Sequence, residues 1–480
     1  MPYNYVKQVA IILLLFLIFP FSEIIAQENR RWTLEECIEH AWMNNLQLQQ
    51  QKLSVDLAGE NLTQSRANLF PSLNASASHA YNFGRTVDPF TNEFATETVR
   101  TNNFGISTSL NIFSGFQVQN AIRQSKFELD ASNYDLERSY NDVALMVASA
   151  YLQVLFNTEL VDNARNQVEI SEQQVERTSQ LVEAGTLPRG SLLTIQAQLA
   201  TEELQLVNAQ NQLDLAYLNL SQIMFLPEDV DLNVAFPEME IIVEDEPEQS
   251  PMQVFRVALN LQPEIRAADI RISSAERGLA IARGGLSPIL SLRGSYGSGY
   301  SEASLEIFDE QPTGLNQVFI TDDGQELLVP VTQFETRIKP FSDQLSDNLN
   351  RSLGFFLSIP IFNNFQTRTG ISRSRINLEN ARLQSQIVRE QLFQTIQQAH
   401  ADATAALKRY AATEKNVVAL EESFRYTEQR FNVGMVNTLE YNDAKNRLSA
   451  AQSELLQAKY EYLFRMKILD FYMGNPLTFN

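Results

Sequence analysis

Glu440 and Asp443 lie three residues apart in a helical stretch, so both carboxylates fall on one helical face. A pair so placed concentrates negative charge on one side of a helix; a solvated face with ordinary charge is the competing reading. Little else has the spacing of a chemical site. His40, His79 and His400 sit in unrelated segments, and the single cysteine, Cys37, leaves too few ligands for a zinc site. There is no phosphate-binding glycine loop and no nucleophile elbow, so neither an enzyme nor a cofactor is expected. Thr321-Asp322-Asp323-Gly324 has the opening of a calcium loop without the remainder, which predicts a plain surface loop. Glu244-Asp245-Glu246 reads as a solvated run of charge.

The elements that carry Glu440 and Asp443 must come from 480 residues that are 44% hydrophobic and 20% charged, which fits neither a disordered chain nor a polytopic helical membrane protein. Thirty-seven basic against 58 acidic residues give a net charge of -21, which argues against a nucleic-acid partner. Sixteen prolines and 18 glycines are few for this length and favour long uninterrupted elements. Lys7, the apolar run Val9 to Phe19 and the segment ending at Ala26 predict a secretory signal peptide over 1–26. An uncleaved anchor is the alternative, for which the run is short. Cys37 does not follow the apolar run directly and lies in the pattern Leu34, Cys37, Ile38, Ala41, Trp42, which predicts a packed helix residue rather than a lipid attachment site.

The chain resembles itself. Residues 34–73 align with 251–290 at an offset of 217, pairing Ala41 with Ala258, Leu62 with Leu279 and Pro71 with Pro288. From about 104 to 224 the offset is 249, pairing Gly105 with Gly354, Phe116 with Phe365, Gly185 with Gly434 and Leu199 with Leu448. The difference of 32 places one insertion between Leu290 and Leu353 of the second copy. The predicted organisation is a first repeat over 27–226, an acidic linker over 227–250 and a second repeat over 251–480.

Within each repeat the hydrophobic period changes. Leu73, Ala75, Ala77, His79 and Tyr81 alternate with small polar residues, as do Phe104, Ile106, Thr108, Leu110 and Ile112. The second copy does the same, and period two predicts four strands, at about 71–83, 103–113, 288–300 and 351–362. Each is long enough to cross a bilayer when tilted. Between them run proline-free stretches over about 117–183 and 366–432. Tyr140, Val147, Val154, Val161, Val168, Val175 and Val182 recur at seven, Ile122, Leu129, Leu136, Val143 and Ala150 form a second row, and Leu192 to Leu220 repeats at seven. Sustained heptads predict coiled-coil packing, and a helix of this length spans about 100 Å. Gly185 and Gly434 end these helices, with the next ones predicted to start near Ser191 and Glu440.

Four strands cannot close a barrel, and an open edge in lipid leaves unpaired backbone groups costing several kcal/mol each. If these are membrane strands, the chain must oligomerise. Two copies give eight strands and a filled interior; three give twelve and room for an aqueous lumen. The serine- and asparagine-rich faces suit a wet interior, and Phe113, Phe116, Phe362 and Phe365 beside Pro360 suit a membrane-interface girdle at the strand–helix junctions. The competing readings are a soluble β-layer packed on helices and a soluble periplasmic coiled-coil scaffold or adaptor without a pore.

On these features the mature chain resembles the TolC-like outer-membrane efflux and secretion channels along essentially its whole length. The resemblance rests on Leu69-Phe70-Pro71 and Leu286-Ser287-Pro288 before the first and third strands, and on Ile359-Pro360-Ile361-Phe362 closing the fourth. The turns Val182-Glu183-Ala184-Gly185 and Phe431-Asn432-Val433-Gly434, and the duplicated order, complete it. It implies a mainly α fold with membrane β: duplicated long coiled-coil helices, and four strands per chain in a homotrimeric twelve-stranded barrel above an α-helical periplasmic tunnel. It further implies an outer-membrane position and a passive exit duct for a tripartite efflux or type I secretion system, without a cofactor. The turns Gly185, Thr186, Leu187 and Gly434, Met435, Val436 would meet a periplasmic adaptor, and through it an inner-membrane transporter. Glu440 and Asp443 would line a cation-selective constriction. The sequence departs from the family's gate pattern: Phe431 stands where a tyrosine is often found, Ser191 where an aspartate is, and Val436 in place of an arginine, so the family's gate latch is not carried over.

Overall fold

A computed structural model of the chain describes residues 31–88, 90–95, 98–227, 230, 232–237, 249–320 and 322–477. The expected signal peptide and the acidic run 244–246 lie outside them. The helices are α1 (Leu34–Asn44), α2 (Leu46–Ala67), α3 (Gln117–Glu183), α4 (Arg189–Met224), α5 (Pro251–Leu261), α6 (Pro263–Gly284), α7 (Phe341–Asp347), α8 (Gln366–Asn432) and α9 (Thr438–Tyr472). The strands are β1 (Arg31–Trp32), β2 (Ser72–Asn82), β3 (Thr86–Val87), β4 (Phe94–Ala95), β5 (Val99–Phe113), β6 (Asn233–Val234), β7 (Ile289–Ser301), β8 (Leu305–Ile320), β9 (Glu326–Ile338) and β10 (Asn350–Ser358). They fall into two compact units, one of residues 1–52, 135–263 and 389–480, the other of 53–134 and 264–388, so each unit draws on both halves of the chain.

The first unit is helical. Its core gathers Cys37 and Ala41 of α1, Val147, Tyr151, Val154 and Leu155 of α3, and Leu213, Ala216 and Leu220 of α4. The α3 heptad row is buried at Val147, Val154, Val161 and Val168. A second buried row runs Val143, Ala150, Asn157, Ser171 and Thr178, its later members polar. Helix α3 contains an 18-residue window of mean hydropathy 1.4, apolar enough to cross a membrane, but 56% of that window is buried inside the protein. Its apolar residues serve helix packing. Cys37 is fully buried, and burial, followed by the charges of Glu36 and Glu35, pushes its thiol up to about 12. Thr33 starts α1 with a capping box to Glu36. The stretch expected as one helix over 34–68 is broken at Asn45, whose backbone is extended and whose Oδ1 accepts from the N–H groups of Gln47 and Leu48. Gln262 makes the same break between α5 and α6.

The second unit holds an antiparallel four-stranded sheet in the order β10-β7-β5-β2. Paired residues share a face. One face carries Leu73, Ala75, Ala77, Phe104, Ile106, Leu110, Leu292, Leu353, Phe355 and Leu357; the other carries Ser72, Asn74, Ser76, Ser107, Ser109, Ser291, Ser295 and Ser352. On the apolar face Leu73 is 74% exposed and Leu353 75%, which in water would be an unmet hydrophobic debt. Strand β5 begins at Val99, four residues earlier than its alternation predicts. Strand β10 ends at Ser358, before Pro360, which has no N–H to give a ladder. The insertion carries the β8–β9 hairpin followed by α7. Asp322-Asp323-Gly324 forms its turn, with Gly324 at φ 78, and β-branched and aromatic residues such as Val318, Phe319, Val331 and Phe334 flank it.

Candidate functional site

The two helix-ending turns are built alike. Gly185 has φ 74 and Gly434 φ 76, a conformation that costs residues with a Cβ about 1–2 kcal/mol. In the first, Gly185 N–H donates to Val182 O (3.0 Å) and Thr186 N–H to Leu181 O (2.9 Å). In the second, Gly434 N–H donates to Phe431 O (3.0 Å) and Met435 N–H to Arg430 O (2.8 Å). These are Schellman closures, which satisfy carbonyls the helix leaves open. The helices that follow start two residues earlier than expected, at Arg189 and Thr438, because Pro188 and Asn437 occupy the N-cap positions. Asn437 Oδ1 accepts from Glu440 N–H at 2.9 Å. Arg177 of α3 donates to Asn432 Oδ1 at 2.7 Å, tying the ends of the two long helices together. Met435 is 70% exposed and Val433 likewise, while Leu187 and Val436 are half-buried.

Glu440 and Asp443 are exposed, and each has a basic neighbour. Arg430 lies 3.5 Å from Glu440, and Arg447 lies 3.0 Å from Asp443 one turn along α9. The Asp443–Arg447 spacing of four was readable in the sequence; the Arg430 contact, made across the Gly434 turn, was not. Phe431 stacks on Tyr441 at 4.6 Å and 27°. Tyr441 is buried, and desolvation, followed by the Glu428 and Glu202 charges, pushes its phenol up to about 12. Ser191 lies in the first turn of α4, its N–H on Pro188 O.

Sequence reasoning missed a buried charge cluster just inside these turns. Lys445 Nζ contacts both oxygens of Glu202 at 3.1 Å, Ser171 Oγ at 2.6 Å and Gln167 O at 3.2 Å, so α9, α4 and α3 meet at one ammonium group. Both side chains are only 4% exposed. Burial pushes Lys445 below the ordinary lysine value while Glu202 pulls it back up. The available signal was periodic: Glu202 falls seven residues from both Ile195 and Ala209, two buried residues of α4.

At the junctions of the other unit, Phe113 and Phe116 pack edge to face at 5.5 Å, and Phe362 and Phe365 at 5.6 Å. Phe116 and Phe365 both adopt positive φ, 59 and 61. Gly115 precedes the first of these, and a Cβ there would lie 2.4 Å from Gly284 O, so only glycine fits. Phe116, Phe362, Phe365 and Pro360 are exposed, and Phe113 is 39% exposed.

A family profile described as "Outer membrane efflux protein" matches residues 37–224 and 254–475. The chain belongs to that family. It is 22% identical over 430 residues to the outer membrane efflux protein BepC of Brucella suis, covering 89% of this chain and 82% of that one. It is also 22% identical over 445 residues to the outer membrane protein TolC of Escherichia coli, covering 92% and 81%. Among solved structures, the CmeC outer membrane channel of Campylobacter jejuni superposes with a TM-score of 0.73 at 16% identity, covering 92% of this chain and 85% of that one, a likeness of fold. Membership makes the chain an outer membrane efflux protein, which supports the channel reading over the soluble scaffold.

Proposed function

We propose that three copies of the chain close one twelve-stranded barrel in the outer membrane and continue it as a helical periplasmic tunnel. The observation that carries this reading is the four-stranded sheet with one apolar and one polar face and two edge strands, β2 and β10, that have no outer partner strand among the described residues. Lipid does not tolerate such edges, so each β10 would pair with the β2 of a neighbouring copy. The serine-lined face then borders water and the leucine and phenylalanine face borders hydrocarbon. Two copies of one ancestral unit are supported by features that recur at the sequence offsets: the breaks at Asn45 and Gln262, the positive-φ pair Phe116 and Phe365, and the turns at Gly185 and Gly434.

In this reading the duct is passive, its strand wall lined by small polar side chains. Gly185, Thr186, Leu187, Gly434, Met435 and Val436 form the surface that docks a periplasmic adaptor, which links the duct to an inner-membrane pump of an efflux or type I secretion system. Glu440 and Asp443 sit one short turn away and bias the entrance toward cations, moderated by Arg430 and Arg447. Phe113, Phe116, Pro360, Phe362 and Phe365 mark the membrane interface on the periplasmic side. The test is the oligomeric mass of the detergent-extracted protein together with its conductance in a planar bilayer. A trimer that conducts is expected; a monomer, a dimer or a non-conducting trimer would overturn the proposal.

A further inference from the structure

The four strands of the sheet contain three arginines (Arg100, Arg293 and Arg351) and no aspartate or glutamate, in a chain whose net charge is -21. Two of the three lie on the apolar face. Register sets Arg100 opposite Tyr81, Asn102 opposite both His79 and Tyr300, and Arg351 opposite Tyr296. All of these belong to the halves of their strands remote from the ends that adjoin α2, α3, α6 and α8. Arg100 is engaged: it pairs with Glu302 at 3.0 Å and lies over the Tyr300 ring at 5.6 Å. Arg351 is exposed and lies over the Tyr296 ring at 5.4 Å, with no acidic partner among the described residues. A neighbouring copy pairing along β10 would bring β2, which has no acid to offer.

A guanidinium at the edge of an apolar band needs an anion or water, and its planar fork fits phosphate oxygens. Tyrosines beside it fit a membrane–water boundary, where an apolar ring and a polar hydroxyl are both satisfied. We propose that the outer rim of this face binds the phosphate-bearing head group of an outer-leaflet lipid. Arg351 is the principal contact, with Tyr296 beside it, and Arg100 beside Tyr81 adds long-range attraction reduced by Glu302. The proposal rests on the barrel reading, which turns this face toward lipid. Arg293 supplies an internal control, because it lies on the polar face over Phe356 at 5.1 Å.

The experiment titrates the detergent-solubilised, assembled full chain with phosphorylated lipid A and with the same lipid dephosphorylated. The phosphorylated form is expected to bind more tightly, and Arg351→Gln to weaken it about fivefold, the effect of one basic group at an anionic surface. Arg351→Gln should leave the dephosphorylated lipid unaffected, and Arg293→Gln should leave both lipids unaffected. Equal binding of the two lipids, or an Arg351→Gln protein that binds as the unmutated one does, would overturn the proposal while an intact conducting oligomer left the barrel standing. Displacement by millimolar inorganic phosphate alone would overturn it in favour of a free-phosphate site. A loss confined to Arg293→Gln would overturn it together with the barrel reading, since the polar face would then be the one meeting lipid.

Discussion

Replacing Lys445 by methionine should be among the most damaging single changes available in the helical unit, and replacing Glu202 as well should largely undo the damage. The ammonium group meets Glu202, Ser171 Oγ and Gln167 O, which accounts for its donors, and Glu202 also accepts from Gln198 Nε2 at 2.9 Å. Methionine keeps most of lysine's apolar stem and removes the ammonium group, its charge and its three donors. Glu202, 4% exposed, is then a buried carboxylate without a counter-charge, at a cost of about 3–5 kcal/mol. At about 2–4 °C per kcal/mol for a large domain, the loss of helical circular dichroism should move down by roughly 6–20 °C. Lys445→Met with Glu202→Leu removes both charges from a site lined by helix stems, and such replacements are neutral or stabilising. The double variant should therefore melt near the unmutated protein, far above the sum of the two single changes. A single variant that melts within a degree or two of the parent would refute the claim that the pair is buried. Additive losses would refute the claim that the two charges act on each other.

Glu440→Gln combined with Asp443→Asn should reduce cation selectivity, read as reversal potentials under a salt gradient; unchanged potentials would reject their role at the entrance. Gly434→Arg should weaken crosslinking to the adaptor while leaving oligomer mass intact, since a Cβ there meets nothing within 4 Å and the strain at φ 76 is confined to the turn; normal crosslinking would count against the docking surface. Tyr441, shifted to about 12 from 10.0, stays protonated in the folded chain where the unfolded chain has begun to ionise. The folded state therefore binds more protons between these values, and stability falls as pH rises from 10 toward 12, by up to roughly 3 kcal/mol. Tyr441→Phe should flatten this alkaline loss in a pH-dependent melting series, and an identical profile would argue that the phenol is solvated. Cys37, raised to about 12 by burial, should resist a thiol reagent at pH 8 until the chain is unfolded; fast labelling of the native protein would contradict its packing.

The strands and long helices were legible because each satisfies one strong periodicity. Alternation of Leu73, Ala75 and Ala77 with serines and asparagine allows one face to meet an apolar medium and the other a polar one, and the valine row from Val147 to Val168 has no other use than packing. What could not be read was the continuation of that logic through polar residues. Asn157, Ser171 and Thr178 extend the row of Val143 and Ala150 but look like surface positions, since serine or threonine announces nothing about its depth. The β8–β9 hairpin was hidden by its acidic residues, which mask an alternation in a segment exposed on both faces. The candidate site was half visible. The glycine turns follow from local backbone chemistry, whereas the contact of Arg430 with Glu440 depends on how the turn closes.

The placement of charge ties these observations together. Helices packed on helices can carry a buried ion pair such as Lys445–Glu202, because neighbouring side chains and carbonyls complete its hydrogen bonds. A sheet face that meets hydrocarbon offers few such partners, and there the register places mostly leucine, isoleucine, phenylalanine, alanine, threonine and glycine. Each of its two arginines stands opposite a tyrosine, Arg351 opposite Tyr296 and Arg100 opposite Tyr81. No acid occurs within the four strands of this sheet; Glu302, just past β7, is taken up by Arg100. The same chain thus buries opposite charges in pairs within its helical unit and leaves a single sign on the strands of its four-stranded sheet. That asymmetry is what two different solvents, packed protein and lipid, would impose on one sequence.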